Sequence, residues 1–337
     1  MWALIRQIRS ILGTLLMMAF VALALSASAQ QRPTPDNPIA NEVHEQQLLD
    51  QLHRIQGRGS IPDVKSYVLE QPAGRLWETY HEVYLHWIAA IAIFGIFFLL
   101  AAYYLWHGSI RFGKRSGKTM QRFTAFERFV HWMTTVCFVT LALSGLNITF
   151  GKKLILPLVG PDAFSTLAQF AKYSHNYLSF PFTLGVVLMF ILWIASNLPT
   201  RADVEWMKQG GGMFGGGEPP AWKFNAGEKL IFWIVVTGGA LAAASGYVLL
   251  FPFYGTTVAN MQMAEIAHST VGMLYIASML VHTYMGTLGT EGAFESMVSG
   301  KVDTNWAKVH HSLWYEQEVA KQRPVAAPPA KGASQTA

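Results

Sequence analysis

The stretch "EIAHSTVGMLYIASMLVHTYMGTL", residues 265–288, decides the fold. It is an apolar run long enough to cross about 30 Å of hydrocarbon as a helix, yet it carries two histidines, His268 and His282. Their spacing of fourteen residues returns a helix to within about 40° of its starting direction and advances it about 21 Å. Both side chains therefore share one face, one near each end of the span. Histidine is expensive in lipid, so each requires a partner or a ligand.

The rest of the chain extends this reading. Of 337 residues, 52% are hydrophobic and only 13% charged, where a soluble protein carries roughly a quarter charged. Apolar runs recur at 83–106, 129–150, 176–198 and 229–251, before the one at 266–288. Each is near the length needed to span, and open strands would leave backbone groups unpaired in lipid. The fold class is thus an all-α integral membrane protein. The net charge of +5 fits basic loops on one side of the bilayer; there is no RNA-binding or zinc-finger signature, so no nucleic acid is expected. Cys137 is the only cysteine. It excludes an intramolecular disulfide and a self-held iron–sulfur cluster, and without CxxCH there is no covalent c-type haem.

Residues 1–29 read as a signal peptide: Arg6 and Arg9, an apolar core from Ile11 to Leu25, and an Ala27-Ser28-Ala29 cleavage site. An uncleaved anchor helix is the alternative. Residues 30–80 form a polar, proline-bearing periplasmic segment in which His44 and His53 read as solvated. Residues 81–107 are an extra transmembrane helix, 108–290 the main bundle and 291–337 a cytoplasmic tail. The 107–128 loop holds Arg111, Lys114, Arg115, Lys118 and Arg122 and is expected to face the cytoplasm. Alternation then puts the start of the chain outside and its end inside; Lys152, Lys153 and Lys172 mildly oppose the rule. "GGGMFGGG" at 210–217 lacks a phosphate-loop ending and reads as a flexible linker.

Partners for the two histidines exist at matching depths. His131, in "ERFVHWMTTVCF", opens the second run at the basic-loop end, level with His282. His175, in "KYSHNYLSFPF", lies at the opposite end of the third, level with His268. Two neutral imidazoles saturate a haem iron, which suits electron transfer rather than oxygen chemistry. A membrane histidine also serves to bond a carbonyl or relay protons, and for any single one that reading stands beside ligation. Four at two consistent depths favour two stacked haems b, with Gly272 and Gly286 leaving room for a flat macrocycle. His81, His86 and His107 edge the first run without partners and read as interfacial.

From about 123 to 318 the sequence resembles the gamma subunit, a cytochrome b, of membrane-bound quinone-linked formate dehydrogenase. The resemblance rests on "FERFVHW…LALSG" at 126–145, "KFNAGEKLIFW" at 223–233, "IAHSTVG…LVHTYM" at 266–285 and "GKVDTNWAKVHHSLWY" at 300–315. The histidine spacing is shared with hydrogenase and thiosulfate-reductase cytochromes; the NAG stretch and the WAK-x-HH-x-x-WY tail are more particular to the formate enzyme. It implies a four-helix dihaem cytochrome b bundle, here with one extra N-terminal transmembrane helix. His131 and His282 would hold the inner haem, His175 and His268 the outer. Asn225, Ala226, Gly227 and Glu228, beside His282, would form an inner quinone site. Glu228 departs from the family's usual glutamine, a change that backbone contacts survive. From the residues alone, "NAGEK" also reads as a helix cap, with Asn225 capping and Glu228 at the third position. The implied partners are an iron–sulfur beta subunit and a molybdenum- or tungsten-containing catalytic alpha subunit, both outside the bacterial inner membrane. Electrons would pass from formate to quinone in anaerobic respiration. No residue of this chain activates formate itself. The alternatives are a cytochrome b subunit of a hydrogenase or other quinone-linked oxidoreductase, and a haem-free transporter with a histidine proton relay. The tail's "WAKVHHSLWY" reads as an interfacial or partner-docking segment.

Overall fold

The apolar runs form helices that outreach their most hydrophobic stretches. The computed structural model describes residues 74–213, 217–252 and 254–322. The expected signal peptide 1–29, residues 30–73 and residues 323–337 lie outside these. Among the described residues, five helices are long and apolar enough to cross a membrane. The first, α1, runs from Gly74–Thr79 to Ile96–His107, with π turns at Tyr80–Tyr84 and Ala90–Gly95. Then come α2 (Ala125–Leu154), the short α3 (Leu156–Val159), α4 (Pro161–Trp193), α5 (Arg201–Lys208), α6 (Ala226–Leu250) and α7 (Val258–Tyr284). A π turn carries α7 on to Gly289, and α8 (Ala293–Ser299), α9 (Thr304–His310) and α10 (Ser312–Gln322) follow. Strands β1 (Thr119–Gln121) and β2 (Lys301–Asp303) pair antiparallel, Met120 opposite Val302.

The extensions have local causes. At its 33 residues, α4 is about 50 Å long, so its first turns stand beyond the hydrocarbon; Pro161 at its first position sets that start. The starts of α2 and α6 are fixed by matching capping boxes, Thr124 with Glu127 and Asn225 with Glu228. α1 begins earlier than the apolar run does because "GRLWET" continues the helix through interfacial aromatics.

α2 packs along α4 and α6 along α7, with α4 against α6 between the two hairpins. Small residues permit the close approaches: Gly185 sits against Thr134, and a Cβ on Gly239 would lie 2.9 Å from Val186 Cγ2. α1 lies along α7, where Leu85 and Ala89 bury against Phe150 and Met273. Its Tyr80 hydroxyl bonds Thr270, and Lys153 on α2 pairs with Glu82.

The two hairpins are related as a repeat. "RFTAFERFVHW" at 122–132 recurs as "KFNAGEKLIFW" at 223–233, and "LALSG" at 141–145 as "AAASG" at 242–246, all at one offset. The contacts repeat too, and they cross between hairpins. Trp132 Nε1 donates to Met297 O at 3.0 Å, and its counterpart Trp233 to Asn197 O at 3.1 Å. Arg128 donates to Val298 O, and its counterpart Lys229 to Leu198 O. Such an exchange is the mark of an approximate two-fold axis along the bundle.

One end of the bundle is closed by the ribbon with α9 and α10; it is called the capped end, the other the open end. Gly300, at φ 80°, turns the chain into β2 beneath Phe123 O, a position that leaves no room for a Cβ. The tail, expected to dock a partner or the interface, instead folds back on its own chain. Trp306, Ala307 and Trp314 bury against Phe112 and Val302. The glycine stretch departs from a simple linker over its described part. Gly211 (φ 62°) lies against the Trp206 ring, and Met213 O accepts from Tyr103 on α1 at 3.0 Å.

Candidate functional site

The four histidines singled out by depth meet as two facing pairs inside the bundle. At the capped end His131, near the start of α2, faces His282, near the end of α7, with ring centroids 6.2 Å apart. At the open end His175 on α4 faces His268 on α7 at 5.9 Å, the rings 80° apart. Two imidazoles on one metal, each bonded at about 2.0–2.1 Å, place their ring centroids roughly 6 Å apart. Among the described residues no three His, Cys, Asp or Glu side chains converge as a metal cage.

The open-end pair sits on the two-fold axis, and its surroundings are duplicated. His175 Nδ1 donates to Leu141 O at 3.1 Å and lies 3.0 Å from Ser144 Oγ. His268 Nδ1 donates to Ala242 O at 3.0 Å and lies 3.2 Å from Ser245 Oγ. With Nδ1 committed as donor, Nε2 of each ring is left unprotonated, the form that binds a metal. A Cβ on Gly145 would come 3.1 Å from His175 Cε1, and one on Gly246 3.1 Å from His268 Cε1. Those are the glycines that give the imidazoles room. Gly272 and Gly286, expected to make space for a macrocycle, have nothing within 4 Å of an added Cβ. The chemistry of the donors, their separation and the open ground beside them fit bis-histidine haem.

The capped-end pair breaks the symmetry. The repeat puts Phe232 where α2 has His131, and, counting along the second helix of each hairpin from the matched His175 and His268, Met189 where α7 has His282. Phe232 and Met189 are buried in one apolar cluster with Val130, Trp193 and Phe224. That packing leaves one histidine pair at this end rather than two. Among the described residues His131 Nδ1 is buried without a hydrogen-bond partner, and His282 is the exposed member of the four.

The residues expected to contact quinone lie at the same end. Asn225 Oδ1 accepts from Glu228 N at 2.9 Å, and Asn225 N donates to Glu228 Oε2 at 3.0 Å, so the cap is present. Ala226 is buried, and Gly227 packs under the Trp206 ring, 3.1 Å from an added Cβ. Glu228 accepts from Arg122 at 2.9 Å and lies within electrostatic reach of His282. Lys229 is committed to Asp203 at 2.7 Å.

Arg122 ties this loop to the tail. It is 5% exposed, flanked by Phe123, Phe224 and Trp306, and donates to Lys223 O and His311 Nε2. His311 is fully buried and donates from Nδ1 to Trp222 O at 2.6 Å. Burial, with the Arg122 charge beside it, brings its pKa down to about 3, so it stays neutral. Sequence reasoning had not singled out Arg122, Ser144 or Ser245 as parts of the site; the repeated Ser-Gly dipeptide was the signal for the last two.

His81 and His86 also approach, at 5.9 Å. They stand five residues apart on one helix, His81 bonds Glu82, and both His86 nitrogens are engaged, by His81 O and Lys153. Neither His86 nitrogen is thereby left free to bind a metal. His107 stacks on Tyr103.

Comparison with known proteins points the same way as this geometry. The chain is 26% identical over 205 residues to the cytochrome b556(Fdn) subunit of the nitrate-inducible formate dehydrogenase of Escherichia coli K12, covering 59% of this chain and 92% of that protein. It is 29% identical over 203 residues to the cytochrome b556(fdo) subunit of formate dehydrogenase from the same strain, with 59% and 93% covered. The formate dehydrogenase cytochrome b556 subunit of Haemophilus influenzae is 24% identical over 198 residues, 57% and 80% covered. The model of the prokaryotic cytochrome b561 family matches residues 122–300. Five helices among the described residues long and apolar enough to cross a membrane, two facing histidine pairs and that match make the chain a multi-pass membrane protein belonging to the prokaryotic cytochrome b561 family.

Proposed function

We propose that this chain is the membrane cytochrome b subunit of a respiratory formate dehydrogenase, taking electrons from a partner at the open end and delivering them to quinone at the capped end. One observation carries the reading: two imidazole pairs, 5.9 and 6.2 Å between centroids, at two depths of a cytochrome b family bundle. His175 and His268 would hold one haem b, His131 and His282 the other. Haem iron bound between two imidazoles supplies a one-electron couple without an open coordination position. The chain's part is to fix the rings, exclude water and separate the two pairs by depth.

The basic 107–128 loop supports a cytoplasmic capped end, with the N-terminus periplasmic after signal cleavage and the C-terminus cytoplasmic. The membrane is then the bacterial inner membrane. The extra helix (81–107), the dihaem domain (108–290) and the tail (291–337) keep their places in this reading. An iron–sulfur beta subunit and a molybdenum- or tungsten-bearing alpha subunit would sit at the open end, where formate gives CO₂, a proton and two electrons. Asn225, Ala226, Gly227 and Glu228 would receive quinone beside His282. The free N–H groups at the start of α6 and the Asn225 amide nitrogen supply donors for a quinone oxygen. Protons released outside and consumed inside would charge the membrane.

The test is formate added to anaerobic membranes holding the assembled complex. The b-type absorption reduced by formate, and reoxidised by quinone, is the expected result. Reduction by hydrogen and not by formate would assign the chain to a hydrogenase instead.

A further inference from the structure

The open-end pair carries a hydrogen-bond shell that the bundle's symmetry builds twice. Each ring's Nδ1–H faces two acceptors, a backbone carbonyl one turn back on the neighbouring helix and a serine hydroxyl: Leu141 and Ser144 for His175, Ala242 and Ser245 for His268. The serines are themselves held. Ser144 Oγ donates to Thr140 O at 2.7 Å and Ser245 Oγ to Leu241 O at 2.7 Å. Each hydroxyl thereby spends its only proton on its own helix and turns a lone pair to the imidazole. The adjacent glycines, Gly145 and Gly246, let the rings approach this closely. At the capped end nothing equivalent exists for His131: Phe232 occupies its counterpart position, and its Nδ1 has no partner among the described residues.

An acceptor on Nδ1–H raises the electron-donating power of the ring at Nε2. Stronger donation from both axial rings favours ferric over ferrous iron and lowers the midpoint potential. We propose that Ser144 and Ser245 are positioning residues that lower the potential of the outer haem below that of the inner, so that the chain itself sets the direction of electron flow. This rests on the two-haem reading above.

The experiment is an optical redox titration of the purified complex, wild type against Ser144→Ala, Ser245→Ala and the double variant, with haem counted per chain in each. The outer component is the one that survives His282→Ala. Each single variant is expected to shift the outer ferric-to-ferrous balance about threefold and the double variant about tenfold, an upward move of about 59 mV for a one-electron couple. The inner component stays in place, and Ser→Thr at both positions, which keeps a hydroxyl, restores the wild-type value. Two haems per chain with an unmoved outer component, or a wild-type outer potential above the inner, would overturn the proposal and leave the two-haem reading standing. Should the double variant lose haem, the single variants and the threonine pair carry the same comparison. A wild type with fewer than two haems would instead overturn the reading beneath it.

Discussion

At position 246 a hydrogen atom stands where any other side chain would press on an imidazole. An added Cβ lies 3.1 Å from His268 Cε1 and 3.4 Å from Nδ1; at Gly145 the distances to the same atoms of His175 are 3.1 and 3.6 Å. Neither ring can retreat without giving up its carbonyl. Gly246→Ala or Gly145→Ala should therefore weaken haem retention at the open end about 10–100-fold, the range seen when support around a metal ligand is disturbed. Haem per chain after extended washing is the measurement, and it should fall toward one. Gly238→Ala, whose Cβ meets only Tyr275 at 3.8 Å, should keep both. None of this was legible from single positions. The fourteen-residue spacing of His268 and His282 is a property of one helix, so helical arithmetic finds it. The Gly145–His175 contact joins two helices thirty residues apart in sequence, and no periodicity within either one reports it.

At the scale of elements, the tail shows why a polar aromatic segment outside the bilayer need not be a docking arm. Its Trp306 and His311 are buried because Arg122, Trp222 and Glu291 offer partners on the same chain, and Trp314 packs edge-on against His311. That arrangement makes the closure pH-dependent. His311 titrates near 3 in the folded chain against 6.5 when free. Below about pH 6.5 the released segment takes up a proton that the docked one does not, so docking is fully favoured above that value and weakens progressively as pH falls toward 3. The protection factors over 304–322, taken relative to the intrinsic exchange rate at each pH, should be lower at pH 5 than at pH 7.5, and His311→Gln should flatten the difference. Equal protection at both pH values in the wild type would count against it. The beginnings of α2 and α6 were readable, since Thr124-x-x-Glu127 and Asn225-x-x-Glu228 are cap signals in their own right. The starts of α1 and α4 were not, because helices run on past the edge of hydrophobicity into water and headgroups.

The four-helix bundle is one hairpin built twice within a single chain, α2–α4 and α6–α7. The on-axis histidine pair is matched residue by residue across the repeat, and the off-axis pair exists on one side only, with Phe232 and Met189 filling its counterpart. In the proposed reading, that break in symmetry would leave one haem, and so a single exit for electrons, at the capped end. The bundle class was legible from hydropathy, and the pairing from depth. The two-fold relation was present in the sequence as "RFTAFERFVHW" and "KFNAGEKLIFW", yet it takes the exchanged contacts of Trp132 and Trp233 to show that it organises the fold. In the proposed reading each of two depths holds one bis-histidine haem. Its most direct measurement is the haem content of the pure, folded polypeptide together with its reduced-minus-oxidised spectrum. Two non-covalent haems b per chain are expected, one of them lost in His282→Ala. Well under two per folded chain, or a spectrum without a b-type band, would contradict it.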